Sequence, residues 1–190
     1  VVDAAMTDGS ATLIGFIYGL MAQGRWTNAR ESNFLDGACP YYDTYECADG
    51  RFVAVGALEP QFFALLLKGL GLDPANHADR TDPARWPAMR EEFAAIFRRH
   101  PRDHWAKVFE GTDACVAPVL DLAEAPRHPH NAARGTYLER DGRIQPAPSP
   151  RFSRTPPAPP GPAPRRGADG AAALADWGFD AAEAKALLGG

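Results

Sequence analysis

Glu59 is a residue whose type and place in this sequence allow proton chemistry. It follows the run Arg51-Phe52-Val53-Ala54-Val55 and stands directly before Pro60, a residue suited to the first turn of a helix. A carboxylate between a strand end and a helix start lies on an edge of its domain. There it can act as a general base, a role that contributes on the order of 10²–10⁴-fold to a rate. On these residues alone the favoured reading is plainer, a negative charge at the positive end of a helix dipole, worth about 0.3–1 kcal/mol. Tyr42, Asp43 and Leu58 are the candidates for substrate contact beside it. Alternating aromatics such as Tyr41, Tyr42 and Tyr45 also serve as core or interface residues of a strand. Asp43 reads as a polar strand position rather than a second base.

The remaining reactive side chains read more plainly. Cys39, Cys47 and Cys115 are odd in number and lack C-x-x-C spacing, so free buried thiols in a reducing compartment are expected. Cys115, inside the run Ala114-Cys115-Val116-Ala117, is expected to pack in a buried strand. His128 and His130 flank Pro129 with no third ligand evident nearby, and no metal site is expected. His77, His100 and His104 read as solvated or helix-terminal. Met6 and Met21 read as core residues of the first helix, with contact to an acyl chain as the alternative. Arg165 and Arg166 read as solvated.

The elements that must position these residues follow from periodicity. Apolar residues recur at helical spacing from Ala4 to Met21, which predicts one helix over 3–23. Polar residues to Asp36-Gly37 form a connector. Asp49-Gly50 between two β-rich runs predicts a hairpin over 41–57. A helix then runs from Pro60 through Leu67, with Gly69 and Gly71 placed to stop it. Helices are expected over 84–100, with Met89, Phe93, Ile96 and Phe97 as the apolar face, and over 102–109. A short strand at 114–117, a helical piece near Leu122, and a second hairpin around Asp141-Gly142 come next. The proline-rich stretch 146–164 is expected to cross a surface in extended form. Two short helices, 171–177 and 181–188, split at Gly178, close the chain.

The fold class is therefore α+β. Either a small domain of antiparallel hairpins and helices is flanked by helices of another domain, or the chain is a single α+β domain. The first is favoured, with boundaries at 1–34 for a linker helix and connector, 35–145 for the small domain, and 146–190 for the proline-rich return and C-terminal helices. A net charge of −4 argues against a nucleic-acid partner, which calls for a basic stripe. The stretch from Ala11 to Ala22 is interrupted by Gly15 and Gly19 and is shorter than the ~20 residues a membrane span needs. The opening Val1-Val2-Asp3 reads as the middle of a longer protein, with no signal peptide expected. The Ala-, Pro- and Arg-rich composition suits a bacterial cytoplasm.

The stretch from Asp36 to Tyr45 and the run Ala48-Asp49-Gly50-Arg51-Phe52-Val53-Ala54-Val55-Gly56-Ala57-Leu58-Glu59-Pro60-Gln61-Phe62 resemble the α-methylacyl-CoA racemases. These belong to the wider group of family III CoA transferases. Gly69-Leu70-Gly71-Leu72, Trp86-Pro87, Gly111 to Leu120, Asn131 to Gly135, and Leu174 to Phe179 agree in the same order. The resemblance implies that the chain is the C-terminal half of a two-domain subunit whose large domain is Rossmann-like. It also implies an interlocked homodimer with the active site between subunits, an acyl-CoA thioester as substrate, and no separate cofactor. The family's catalytic His and Asp are expected upstream; only its catalytic Glu carries over, onto Glu59. In the family's transferases this turn reads more like Gly-Asn-Asp, so Glu at position 59 points to proton transfer rather than acyl transfer.

Overall fold

The computed structural model describes residues 1–189. Contacts divide the chain into two units, Val1–Val119 and Leu120–Gly190. The first unit ends inside the segment expected as one small domain.

The first unit opens with α1 (Met6–Leu13) and α2 (Gly15–Ala22), where one helix was expected. The break at Ile14 has a local cause. Thr12 turns its hydroxyl back to the Asp8 carbonyl at 2.9 Å, an arrangement that weakens and bends helices, and Gly9 and Gly15 flank it. Only Leu20 of these helices is buried. Met6 and Met21 are both exposed, so they are not core residues among the described part of the chain.

The connector is organised by Asn33, which is buried. It exchanges hydrogen bonds with Thr27 and donates to the Asp36 carboxylate at 2.6 Å. Then β1 (Tyr42–Glu46) and β2 (Phe52–Gly56) pair antiparallel as the expected hairpin, Tyr42 opposite Gly56 and Tyr45 opposite Val53, with Asp49 at the centre of the register. Strand β3 (Val116–Pro118) adds to the other edge of β2, giving the order β1-β2-β3. Alternation sends Tyr45, Val53 and Val55 to the buried face, and Tyr42 and Phe52 to the exposed one.

Three helices cover the buried face: α3 (Pro60–Leu70), α4 (Trp86–Phe97) and α5 (Arg102–Phe109). Their shared core is aromatic. Tyr45 stacks on Phe97 at 5.1 Å and gives its hydroxyl to the Pro40 carbonyl at 2.5 Å. Trp105 packs edge-on to Phe97 and donates to the Phe97 carbonyl at 2.8 Å. Phe93 and Phe97 are fully buried, and full burial of such a side chain stabilises by about 1.5–3 kcal/mol.

Two glycines of α3 behave differently from one another. Gly71, in the left-handed conformation, ends the helix as expected. Gly69 does not stop it: the position lies inside α3, where an added Cβ would sit 2.1 Å from the Phe109 ring, so this glycine is a packing contact between α3 and α5. His77 is also not solvated. It is buried at the end of a 3₁₀ turn, Pro74–His77, with Nε2 2.9 Å from Glu92 and Nδ1 3.0 Å from the Asp73 carbonyl.

In the second unit a 3₁₀ turn, Ala125–Arg127, takes the place of the helical piece expected near Leu122. It leads to α6 (Pro129–Arg134), the hairpin β4 (Tyr137–Arg140) and β5 (Arg143–Pro146), and the pair α7 (Gly170–Asp176) and α8 (Ala181–Leu187). The proline-rich stretch has no regular structure. Arg151 gives its guanidinium to the Arg134 and Gly135 carbonyls, and Arg140 reaches the Pro160 carbonyl. No helix among the described residues is long and apolar enough to cross a membrane.

Candidate active site

Glu59 occupies the N-cap of α3 in extended backbone, φ −77° and ψ 148°, with Pro60 in the first turn. Its side chain is exposed and makes no capping hydrogen bond. An N-cap carboxylate at work would accept an amide of the first turn, and this one does not. Among the described residues it has neither ion pair nor hydrogen-bond partner.

The backbone around Glu59 is held on both sides. Phe63 donates its amide to the Glu59 carbonyl at 2.9 Å. One residue earlier, Arg80 donates from Nη1 to the Leu58 carbonyl at 3.1 Å. The strand leading in is pinned as well: the Gly56 amide donates to the Cys115 carbonyl at 2.8 Å, and the Leu58 amide to the Gly56 carbonyl at 3.0 Å.

The exposed face of the sheet carries a shallow depression of about 410 Å³ lined by Tyr42, Asp43, Thr44, Ala54, Gly56 and Cys115. A side chain at Gly56 would touch Cys115 and the Tyr42 ring, at 3.9 and 4.0 Å; the glycine leaves that space open. Tyr42 is exposed here. Asp43 borders the same depression, but alternation sends its side chain with Tyr45 and Val55 toward α4, where its carboxylate is taken up by an ion pair with Arg90, which also holds the Gly37 and Ala38 carbonyls of the connector. Leu58 faces a second depression of about 570 Å³, shared with Tyr41, Arg80, Trp86, Phe34 and Asn33.

Cys115 is the main correction at the site. It is exposed rather than buried, and it precedes β3 in the left-handed conformation, φ 53°, a region non-glycine residues seldom adopt. Desolvation first, then the negative charges of Glu59 and Asp113, push its thiol up from the ordinary value. Cys39 and Cys47 are buried free thiols, as expected.

The profile of CoA-transferase family III matches residues 1–170. The chain belongs to that family. It is 44% identical over 160 residues to the α-methylacyl-CoA racemase of Mus musculus, and 41% identical over 160 residues to that of Homo sapiens. Each match covers 84% of this chain and 42% of the relative, so the chain spans less than half the length of these proteins. An acetyl-CoA:oxalate CoA-transferase of Acetobacter aceti is 30% identical over 152 residues, 76% of this chain and 38% of the relative.

Within this CoA-transferase family III chain, sequence reasoning did not single out Arg80. The residue lies in a loop between Pro74 and Pro83, 22 positions from the carbonyl it holds, and no periodic pattern marks it. Cys115 was noticed, but nothing in its neighbours signals the left-handed backbone that turns it outward.

Proposed function

We propose that this chain is the part of an α-methylacyl-CoA racemase that delivers Glu59 to the carbon next to a thioester carbonyl. A base takes the proton from C2, the electron pair moves onto the thioester oxygen as an enolate, and a proton returns to the opposite face. Nothing is oxidised or reduced, and the CoA thioester is itself the substrate, with no cofactor. Such a carbon acid is weak, so a base is needed on each face, together with donors to the developing oxyanion worth about 2.7–4 kcal/mol each.

The observation that carries this reading is the Glu59 carboxylate: exposed, uncommitted to capping or an ion pair, and mounted on backbone bonded on both sides. The open depression beside Gly56, with Tyr42 on its wall, supports substrate contact there. In the interlocked homodimer that the racemases suggest, Glu59 of one subunit meets a His supplied by residues upstream of Val1. A carboxylate next to an imidazole fixes its tautomer and raises its basicity. A small domain over 35–145 and a bacterial cytoplasmic location belong to the same proposal. The higher identity to the racemases, 44% against 30%, favours proton transfer over acyl transfer.

The test is α-proton exchange from 2-methylacyl-CoA in deuterated buffer by the full-length protein, followed by NMR. Exchange from both epimers is expected, and Glu59→Gln should lower its rate by at least about 100-fold. No exchange from either epimer would sink the proposal. Acyl transfer from the thioester to a free acid, without deuteration at C2, would point to the transferase reading instead.

A further inference from the structure

We infer that Arg80 is a positioning residue for Glu59, acting through the Leu58 carbonyl; this rests on the proton-transfer reading of Glu59 given above. The side chain of Glu59 has no partner of its own among the described residues, so only its backbone can aim it. Two peptide planes meet at its Cα. The plane after it is fixed twice, by the Pro60 ring and by the Phe63 amide on the Glu59 carbonyl. The plane before it carries the Leu58 carbonyl, and the side chain that bonds this oxygen is Arg80, at 3.1 Å. Arg80 therefore restrains the φ rotation of Glu59, while α3 restrains ψ.

Arg80 is itself well anchored for this task. Its guanidinium carbon lies 4.7 Å from the centroid of Tyr41 and 4.8 Å from that of Phe63. Its own carbonyl accepts the Tyr41 hydroxyl at 3.2 Å and the Trp86 indole N–H at 2.9 Å. Phe63 is also the residue whose amide closes on Glu59. One residue thus joins the strand entry and the first turn of α3 through its side chain, and the start of α4 through its carbonyl, at the peptide that aims the carboxylate. A planar guanidinium can face aromatic rings while an N–H in its plane meets the carbonyl. An ammonium offers the charge and a donor but not the planar face.

The experiment measures α-proton exchange kinetics in the full-length protein for Arg80→Ala, Arg80→Lys and Glu59→Gln, with Arg85→Ala as a loop control. Arg85 ends the 3₁₀ turn Pro83–Arg85 that follows this loop, and pairs with the loop's exposed Asp79. A loosened carboxylate lowers kcat rather than substrate affinity. Arg80→Ala is expected to lose about 10–100-fold in kcat with KM within about 2-fold of wild type. Arg80→Lys should lose less, added guanidinium should restore part of the Arg80→Ala rate, and Arg85→Ala should keep the wild-type kcat. A raised KM at unchanged kcat would make Arg80 a substrate contact and overturn the inference. So would an equal kcat loss in Arg85→Ala, or no rescue by guanidinium. If Arg80→Ala does not fold, Arg80→Lys decides: wild-type kcat and KM there overturn it. Loss of exchange in Glu59→Gln with wild-type kinetics in both Arg80 variants removes only the role of Arg80. Full exchange in Glu59→Gln removes the role of Glu59 first, and that of Arg80 with it.

Discussion

An ionised carboxylate beside a thiol disfavours the thiolate, and this gives a direct readout of where the Glu59 charge sits. Desolvation, then Glu59 and Asp113, hold the Cys115 pKa above its ordinary value. Below that raised pKa the thiol stays protonated, and thiolate appears only as pH climbs through it. Removing one of the two negative charges lowers the pKa, so more thiolate is present at any fixed pH below it. The thiolate also becomes intrinsically less nucleophilic, but only by the 0.4–0.5 power of the same change, so the larger fraction wins. Glu59→Gln should therefore speed alkylation of Cys115 by iodoacetamide at pH 8, read by mass spectrometry of the labelled peptide. An unchanged rate would place the Glu59 charge away from the depression. At this scale the sequence was partly legible. Glu59 stood out through the resemblance of the run Ala54 to Phe62 to the racemases; a carboxylate between a strand and a proline reads by itself as a charge at a helix start. Arg80 did not, because its partners Tyr41, Leu58 and Phe63 come from three other segments that only folding brings together.

Among the elements, close approach of α3 and α5 is set by a missing methyl group. A Cβ at position 69 would fall 2.1–3.0 Å from three atoms of the Phe109 ring, and Phe109 is itself buried with little room to yield. Gly69→Ala raises helix propensity by about 1 kcal/mol, yet overpacking costs typically 1–3 kcal/mol and at this distance more. The net effect is expected to be destabilising by about 1–3 kcal/mol in urea unfolding. Adding Phe109→Leu should recover part of the loss, giving a favourable coupling in the double-mutant cycle. Gly69 was misread as a stop signal because a glycine needed for backbone freedom and one needed for proximity look the same in a linear sequence. Gly71, two positions on, was the true end of α3. The hairpin β1–β2 was legible because Asp49-Gly50 marks a turn between two β-rich runs; its register, centred on Asp49, was not read. The break at Ile14 was missed because apolar spacing continues through it, while the cause is a single Thr12 hydroxyl turned back on its own helix. The edge strand β3 begins two residues later than expected, since Cys115 spends its left-handed conformation on the turn that meets Gly56.

For the whole molecule the governing facts are the 42% coverage of the racemases and the exposed apolar residues of α1 and α2, among them Leu13, Phe16 and Tyr18. A helix that is apolar all round finds its stability in partners. Among the described residues of these two helices, only Leu20 has been buried. The proposed reaction asks for a base on each face of the substrate carbon, and among the described residues no imidazole bonds to the Glu59 carboxylate. Residues 1–190 expressed alone should therefore bind no productive geometry and exchange the C2 proton of 2-methylacyl-CoA no faster than Glu59→Gln of the full-length protein. Supplying the upstream polypeptide in trans should restore exchange, because the sheet face and the Glu59 turn lie within a unit that has its own aromatic core. Racemisation by the 190 residues alone would mean that both bases lie within them. Asp113, close enough to act on Cys115, would then be the first residue to replace.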